Sequence, residues 1–305
     1  MAAATANPLK QEYYFPKGES VLRMVMDHHV VGLLYGSRGL VVGALEPMAF
    51  TGTYLRSNAS KTGDYYGRLL KTQQAFEDVF FKPKSEADKT LKRVAKLHSR
   101  VNGIVEESVG VDYPKGSTYD AHDPWLSFWT MAVLCESAYA VYRAYVRELT
   151  DHEKELYWKD WQYFGELFGM PEGAAPDTWN EFRSVYFEYI HSDRPNVIPM
   201  ANRAAIASVN LPVGGPGVVL NRTLYLLLAA TLPARVRELH NMPWGIPEQL
   251  AWGALNEAVK VGQFLIPASF KKGPVAEFAK SRVEPLRDKE ARIIKELQGR
   301  LSSPA

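Results

Sequence analysis

The chain has 305 residues, and its 36 basic and 34 acidic side chains leave a formal charge of only +2, which excludes a whole-protein field able to recruit a nucleic acid. Hydrophobic residues at 46% and aromatics at 12% are enough for a sizeable core, so a disordered chain is excluded, and no run approaches the ~20 apolar residues of a membrane span. A single cysteine, Cys135, rules out an intrachain disulfide.

In chain order, residues 1–17 read as an N-terminal extension without the apolar core of an export signal, so cytoplasmic residence is expected. A first helix is predicted over 18–35. It runs into an apolar segment where Gly32, Gly36, Gly39 and Gly43 recur every three or four residues around Arg38. Close helix packing accounts for that spacing, and no phosphate-loop pattern is present. A helix over 65–81 carries Arg68, Lys71 and Thr72 at i, i+3 and i+4, hence on one face. The next, over 86–108 and opened by Ser85-x-x-Asp88, carries His98 beside Val94, Leu97 and Val101.

Asp123 followed by Pro124 opens a helix over 124–148, in which Cys135 reads as a buried small hydrophobe. The pairs Thr150-x-x-Glu153 and Thr178-x-x-Glu181 signal starts for helices over 151–169 and 177–191. Further helices are predicted over 200–210, 217–240, 247–265 and 284–298, separated by Pro- and Gly-containing breakers. Nothing alternates persistently with period two, so the fold class is all-α. The expected organisation is one helical domain over 18–270, followed by a basic helix and tail over 271–305 that packs on or flanks it. Nine Lys/Arg against five Asp/Glu between Lys271 and Arg300 suit a solvated helix face, with peripheral membrane contact as the other reading.

Spacing by itself assigns Arg68, Lys71 and Thr72 to an exposed, salt-bridging stripe and His98 to a hydrogen-bonded structural role. His98 with His122 and Asp123 would also suit a metal-dependent phosphohydrolase built on helices, but an aspartate before a proline is better explained as a helix cap. His28 and His29 diverge by ~100° on a helix and make a poor chelating pair. No G-x-S-x-G elbow is present.

Four ordered blocks add a resemblance: Arg68-x-x-Lys71-Thr72, Leu97-His98-x-x-Val101-x-Gly103, Tyr119-x-Ala121-x-Asp123-Pro124-x-x-x-x-Trp129, and Leu232-Pro233-x-Arg235. Across approximately residues 20–240 the chain resembles the haem b proteins comprising the rubber oxygenases (latex clearing proteins), the oxygenase of mycophenolic acid biosynthesis, and their bacterial relatives. The resemblance implies an all-helical fold with haem b between helices, and His98 as the proximal iron ligand. Lys71 would be a displaceable ligand on the opposite face, with Arg68 and Thr72 its polar neighbours. It implies a haem-dependent oxygenase acting with dioxygen or peroxide on a hydrophobic small molecule, with oxidation or cleavage at a C=C bond the candidate reaction. The alternative is a non-catalytic haem or lipid carrier, or a sensor, whose iron keeps both Lys71 and His98. Trp125, Phe128, Trp129, Tyr139 and Tyr142 are candidates for lining an apolar cavity, with Trp129 against the cofactor, and core packing is their other explanation. Arg235 is a candidate partner for a propionate. The chain departs from the rubber-cleaving members in having Ala95 and Asn102 where they carry arginines, and from many relatives in having Glu46-Pro47 where they have His-Pro.

Overall fold

The computed structural model describes residues 12–55, 65–209, 217–265 and 273–276. The predicted helix over 284–298 and most of the N-terminal extension lie outside them. The regular structure among the described residues is helical except for one small hairpin. The helices are α1 (Val21–Met26), α2 (His29–Gly43), α3 (Pro47–Leu55), α4 (Tyr65–Phe81) and α5 (Lys84–His98), followed by strands β1 (Asn102–Ile104) and β2 (Thr118–Asp120). Then come α6 (Pro124–Tyr145), α7 (Asp151–Leu167), α8 (Trp179–His191), α9 (Pro199–Val209), α10 (Gly217–Ala229), α11 (Ala234–Leu239) and α12 (Ile246–Leu265).

Three starts follow from side chains that accept from otherwise unpaired backbone N–H groups. Thr150 and Thr178 each close a full capping box with Glu153 and Glu181. Asp123 accepts from the Leu126 amide at 2.9 Å, one residue before Pro124. The Ser85 signal is corrected: α5 begins at Lys84 with Pro83 at the cap position, where a residue without an N–H costs nothing.

α6 is the axis of the molecule. Its buried residues lie on every side, including Trp129, Met131, Val133, Cys135, Ala138 and Tyr142, as expected of a helix enclosed by others. α2 packs along it. A Cβ on Gly39 would meet Leu134 Cδ2 at 3.1 Å and one on Gly43 would meet Val133 Cγ2 at 3.6 Å, so these glycines let the two backbones approach. Gly36 faces the other way, where an added Cβ would meet Leu69 Cδ1 of α4 at 3.3 Å. α7 and α8 close the aromatic side, where Trp129 lies against Tyr186 and Tyr189 and Trp158 stacks on Phe182 at 4.1 Å.

Four predicted spans change. The helix over 18–35 is two helices, broken where His28 takes an extended backbone, and the second runs on to Gly43. α3 fills a span left without a predicted helix. The helix over 86–108 stops at His98, because Asn102–Ile104 pairs antiparallel with Thr118–Asp120 and sets Gly103 opposite Tyr119. A Cβ at position 103 would sit 2.8 Å from the Tyr119 hydroxyl, so the glycine makes room for that buried ring. The helix over 217–240 divides at Pro233, which caps α11 and cannot continue a helix.

Candidate functional site

α4 and α5 are consecutive helices joined at Lys82–Pro83 and packed against each other. At 1.5 Å per residue, Arg68 on α4 and His98 on α5 each stand about 20 Å along their own helices from the turn. Helical period sets their faces. Arg68 continues the line of Ala75 and Val79, both buried, while His98 continues that of Ala87, Leu91 and Val94, which runs along the packed side of α5. The pair is pinned nearer the turn, where Asp78 accepts from Thr90 Oγ1 at 2.7 Å and from Lys82 Nζ at 2.8 Å.

His98 is half-buried. Its ring lies edge-on to His122 with centroids 6.4 Å apart. Burial lowers its pKa below 6.5, the neighbouring His122 lowers it further, and the Phe168 carbonyl opposes both. The imidazole is thus biased toward its neutral form, the only form that binds a metal. Arg68 is also half-buried, and desolvation lowers its pKa. Lys71 and Thr72 are exposed on the same helix, one turn further on.

The remaining candidates separate. Trp129 is fully buried, its indole N–H directed at the Gly43 carbonyl at 3.4 Å, and Phe128, Tyr139 and Tyr142 are likewise core residues. Trp125 is partly exposed. Arg235 forms a surface pair with Glu238 at 3.8 Å. Asp123 is engaged as a cap, and among the described residues no group of three His, Cys, Asp or Glu side chains gathers as metal ligands. His122 instead bonds Asp120 at 3.0 Å. The phosphohydrolase reading therefore has no donor set there.

Two buried polar centres carried no sequence signal of their purpose. Glu46 is fully buried; it accepts from the Trp125 indole at 3.1 Å, the Tyr189 hydroxyl at 2.7 Å and the Met48 amide at 3.2 Å. Its charge raises the pKa of Tyr113 after burial has done so, and does the same for Tyr189. Arg38 is 1% exposed and donates to Ser137 Oγ, Thr231 Oγ1 and the Thr231 carbonyl. It lies 4.0 Å from Glu136, which also pairs with Arg183. Only an isolated polar residue in an apolar run marks either position.

The family described as ER-bound oxygenase mpaB/B'/rubber oxygenase, catalytic domain, matches residues 23–261, a span that contains the α4–α5 pair and all four sequence blocks. No curated protein and no solved structure matches the chain. The chain therefore belongs to the mpaB and rubber oxygenase catalytic-domain family.

Proposed function

We propose that this oxygenase-family protein binds haem b at the α4–α5 helix pair and uses it to oxidise a hydrophobic small molecule. The observation that carries this reading is His98: a half-buried imidazole on the packed side of α5, biased to the neutral form, with the desolvated Arg68 on the adjoining helix α4. The side chains present fit the group. His98 would supply the nitrogen donor that holds the iron, with the Phe168 carbonyl beside the ring to orient it.

Bound haem would supply the one-electron chemistry that lets dioxygen or a peroxide react with an organic molecule. The chain's own groups on α4 would add polar donors. Arg68 keeps a cation where solvent is already partly excluded, so its N–H groups act on developing negative charge with little screening. Thr72 adds a hydroxyl donor one turn away. Lys71 is solvent-exposed and would be available as a second nitrogen donor to the group. A C=C bond is the proposed point of attack.

The test is an absorption spectrum of protein expressed with haem supplied. The wild type should show a strong Soret band, and His98→Ala should lose most of it while keeping its helical circular dichroism. A colourless wild type that takes up no haem, or an unchanged spectrum in His98→Ala, would reject the assignment.

A further inference from the structure

Helix α11 and the turn after it line a cavity of about 450 Å³ with Ala234, Arg237, Glu238, Asn241, Met242 and Trp244. Local hydrogen bonds build it. The Asn241 amide donates to the Glu238 carbonyl at 3.0 Å and the Met242 amide to the Arg237 carbonyl at 2.8 Å, with Asn241 in the left-handed region at φ 51°. This is the helix-ending turn that glycine suits best and asparagine next. It brings Trp244 beside Arg237, whose guanidinium carbon stands 5.2 Å from the indole centroid. The walls are held from outside. The Tyr225 hydroxyl of α10 donates to the Pro243 carbonyl at 2.7 Å, and His240, at the end of α11, bonds the Val41 carbonyl of α2 at 2.7 Å.

Arg237 is the group whose bonding is incomplete. Its Nη1 donates to the Ala229 carbonyl at 3.0 Å and to the Leu232 carbonyl, which fixes the side chain at the end of α10. Its Nε and Nη2 make no hydrogen bond among the described residues, and neither do the Asn241 carboxamide and the Trp244 indole N–H. In a guanidinium, Nε–H and one Nη2–H lie parallel and form the fork that a carboxylate takes with two bonds. Glu238, the acid in the lining, is paired instead with Arg235 at 3.8 Å.

We propose that this cavity is a binding site for an organic carboxylate with a flat apolar body. The Arg237 fork takes the carboxylate, the Asn241 carboxamide and the Trp244 N–H supply further donors, and Ala234, Met242 and the indole supply the apolar surface. The lining selects that class. Arg237 and Glu238 together leave it near neutral, so a singly charged carboxylate suits it better than a phosphate dianion. Because two carbonyls and a ring already hold the guanidinium, little side-chain freedom is lost on binding. None of these residues belongs to α4 or α5, so the site stands or falls independently of the haem assignment.

The experiment is an NMR titration of the isotope-labelled full chain, without haem, with 1-naphthoate, read at the Arg237 Nε–H and the Trp244 indole N–H. Both signals should shift saturably, with a Kd of about 1 mM or below. The uncharged analogue 1-naphthylmethanol should bind ~10-fold or more weaker because it cannot fill the fork, and inorganic phosphate should leave both signals in place. No saturable shift by about 10 mM 1-naphthoate, equal binding of the alcohol, or displacement of 1-naphthoate by phosphate would each overturn the proposal. Arg237→Gln, followed at Trp244, should bind 1-naphthoate ~10-fold or more weaker. Should that variant fail to fold, Arg237→Lys keeps the charge, loses the fork and should show the same loss. Asn241→Gly gives the turn its preferred residue, so it should keep the helical circular dichroism and melting temperature while binding several-fold weaker. Wild-type affinity after substitution at either position would refute the site as assigned.

Discussion

Replacing Glu46 by alanine should be among the most damaging single changes outside the proposed haem site. The side chain is fully buried and receives the Trp125 N–H, the Tyr189 O–H and the Met48 N–H. Each donor left without a partner costs about 1–3 kcal/mol. Trp125 is partly exposed and can recover water, so the total falls nearer about 3–6 kcal/mol than the full sum. For a chain of this size that corresponds to a melting temperature lower by about 6–12 °C. Guanidinium unfolding of wild type, Glu46→Ala, Tyr189→Phe and the double variant makes a cycle around the 2.7 Å bond. Tyr189→Phe alone should cost about 1.5–3 kcal/mol, and in the Glu46→Ala background it should cost clearly less, because the hydroxyl then keeps only the longer bond to the Leu45 carbonyl at 3.3 Å. Additive losses, or a Glu46→Ala cost under about 1 kcal/mol, would refute the carboxylate as the centre that ties α3, α6 and α8 together.

Three further outcomes are expected. The His98 imidazole, followed by NMR in the haem-free protein, should titrate below 6.5, and His122→Asn should move it upward by removing the neighbouring positive charge. With the folded pKa depressed, the stabilisation from neutral His98 is complete above about 6.5 and is lost as pH falls through the folded value, so haem affinity should weaken in that same acid window. Lys71→Ala should keep haem and shift its spectrum toward a more open coordination, whereas Arg68→Ala should keep haem and lose turnover. Carbon monoxide should bind wild-type haem readily, and refusal of the gas would favour a carrier or sensor with both axial sites held. Cys135 is buried with its thiol pKa raised by desolvation, so a thiol-specific chromogen should leave it untouched until denaturant is added; rapid reaction in the native state would contradict that burial.

Much of this molecule is written locally in the chain. The all-α class follows from apolar period, and the starts of α6, α7 and α8 follow from Asp123, Thr150 and Thr178, because a cap is a contact between residues two or three apart and needs nothing from the rest of the fold. The shared face of Arg68, Lys71 and Thr72 is likewise a property of helix geometry. The ordered blocks bring in the family. What the sequence could not decide is whatever depends on residues distant in the chain. Helix α5 ends at His98 because a strand sixteen residues away pairs with its continuation. Trp129 lies in the core because Tyr186 and Tyr189 of α8 close over it. Glu46 and Arg38 are stable only because donors and acceptors from α6, α8 and the Thr231 turn converge on them, and Glu77 accepts from the Val275 and Ala276 amides nearly 200 residues downstream. Burying a charge is favourable only when its partners arrive together, and that convergence belongs to the tertiary structure alone.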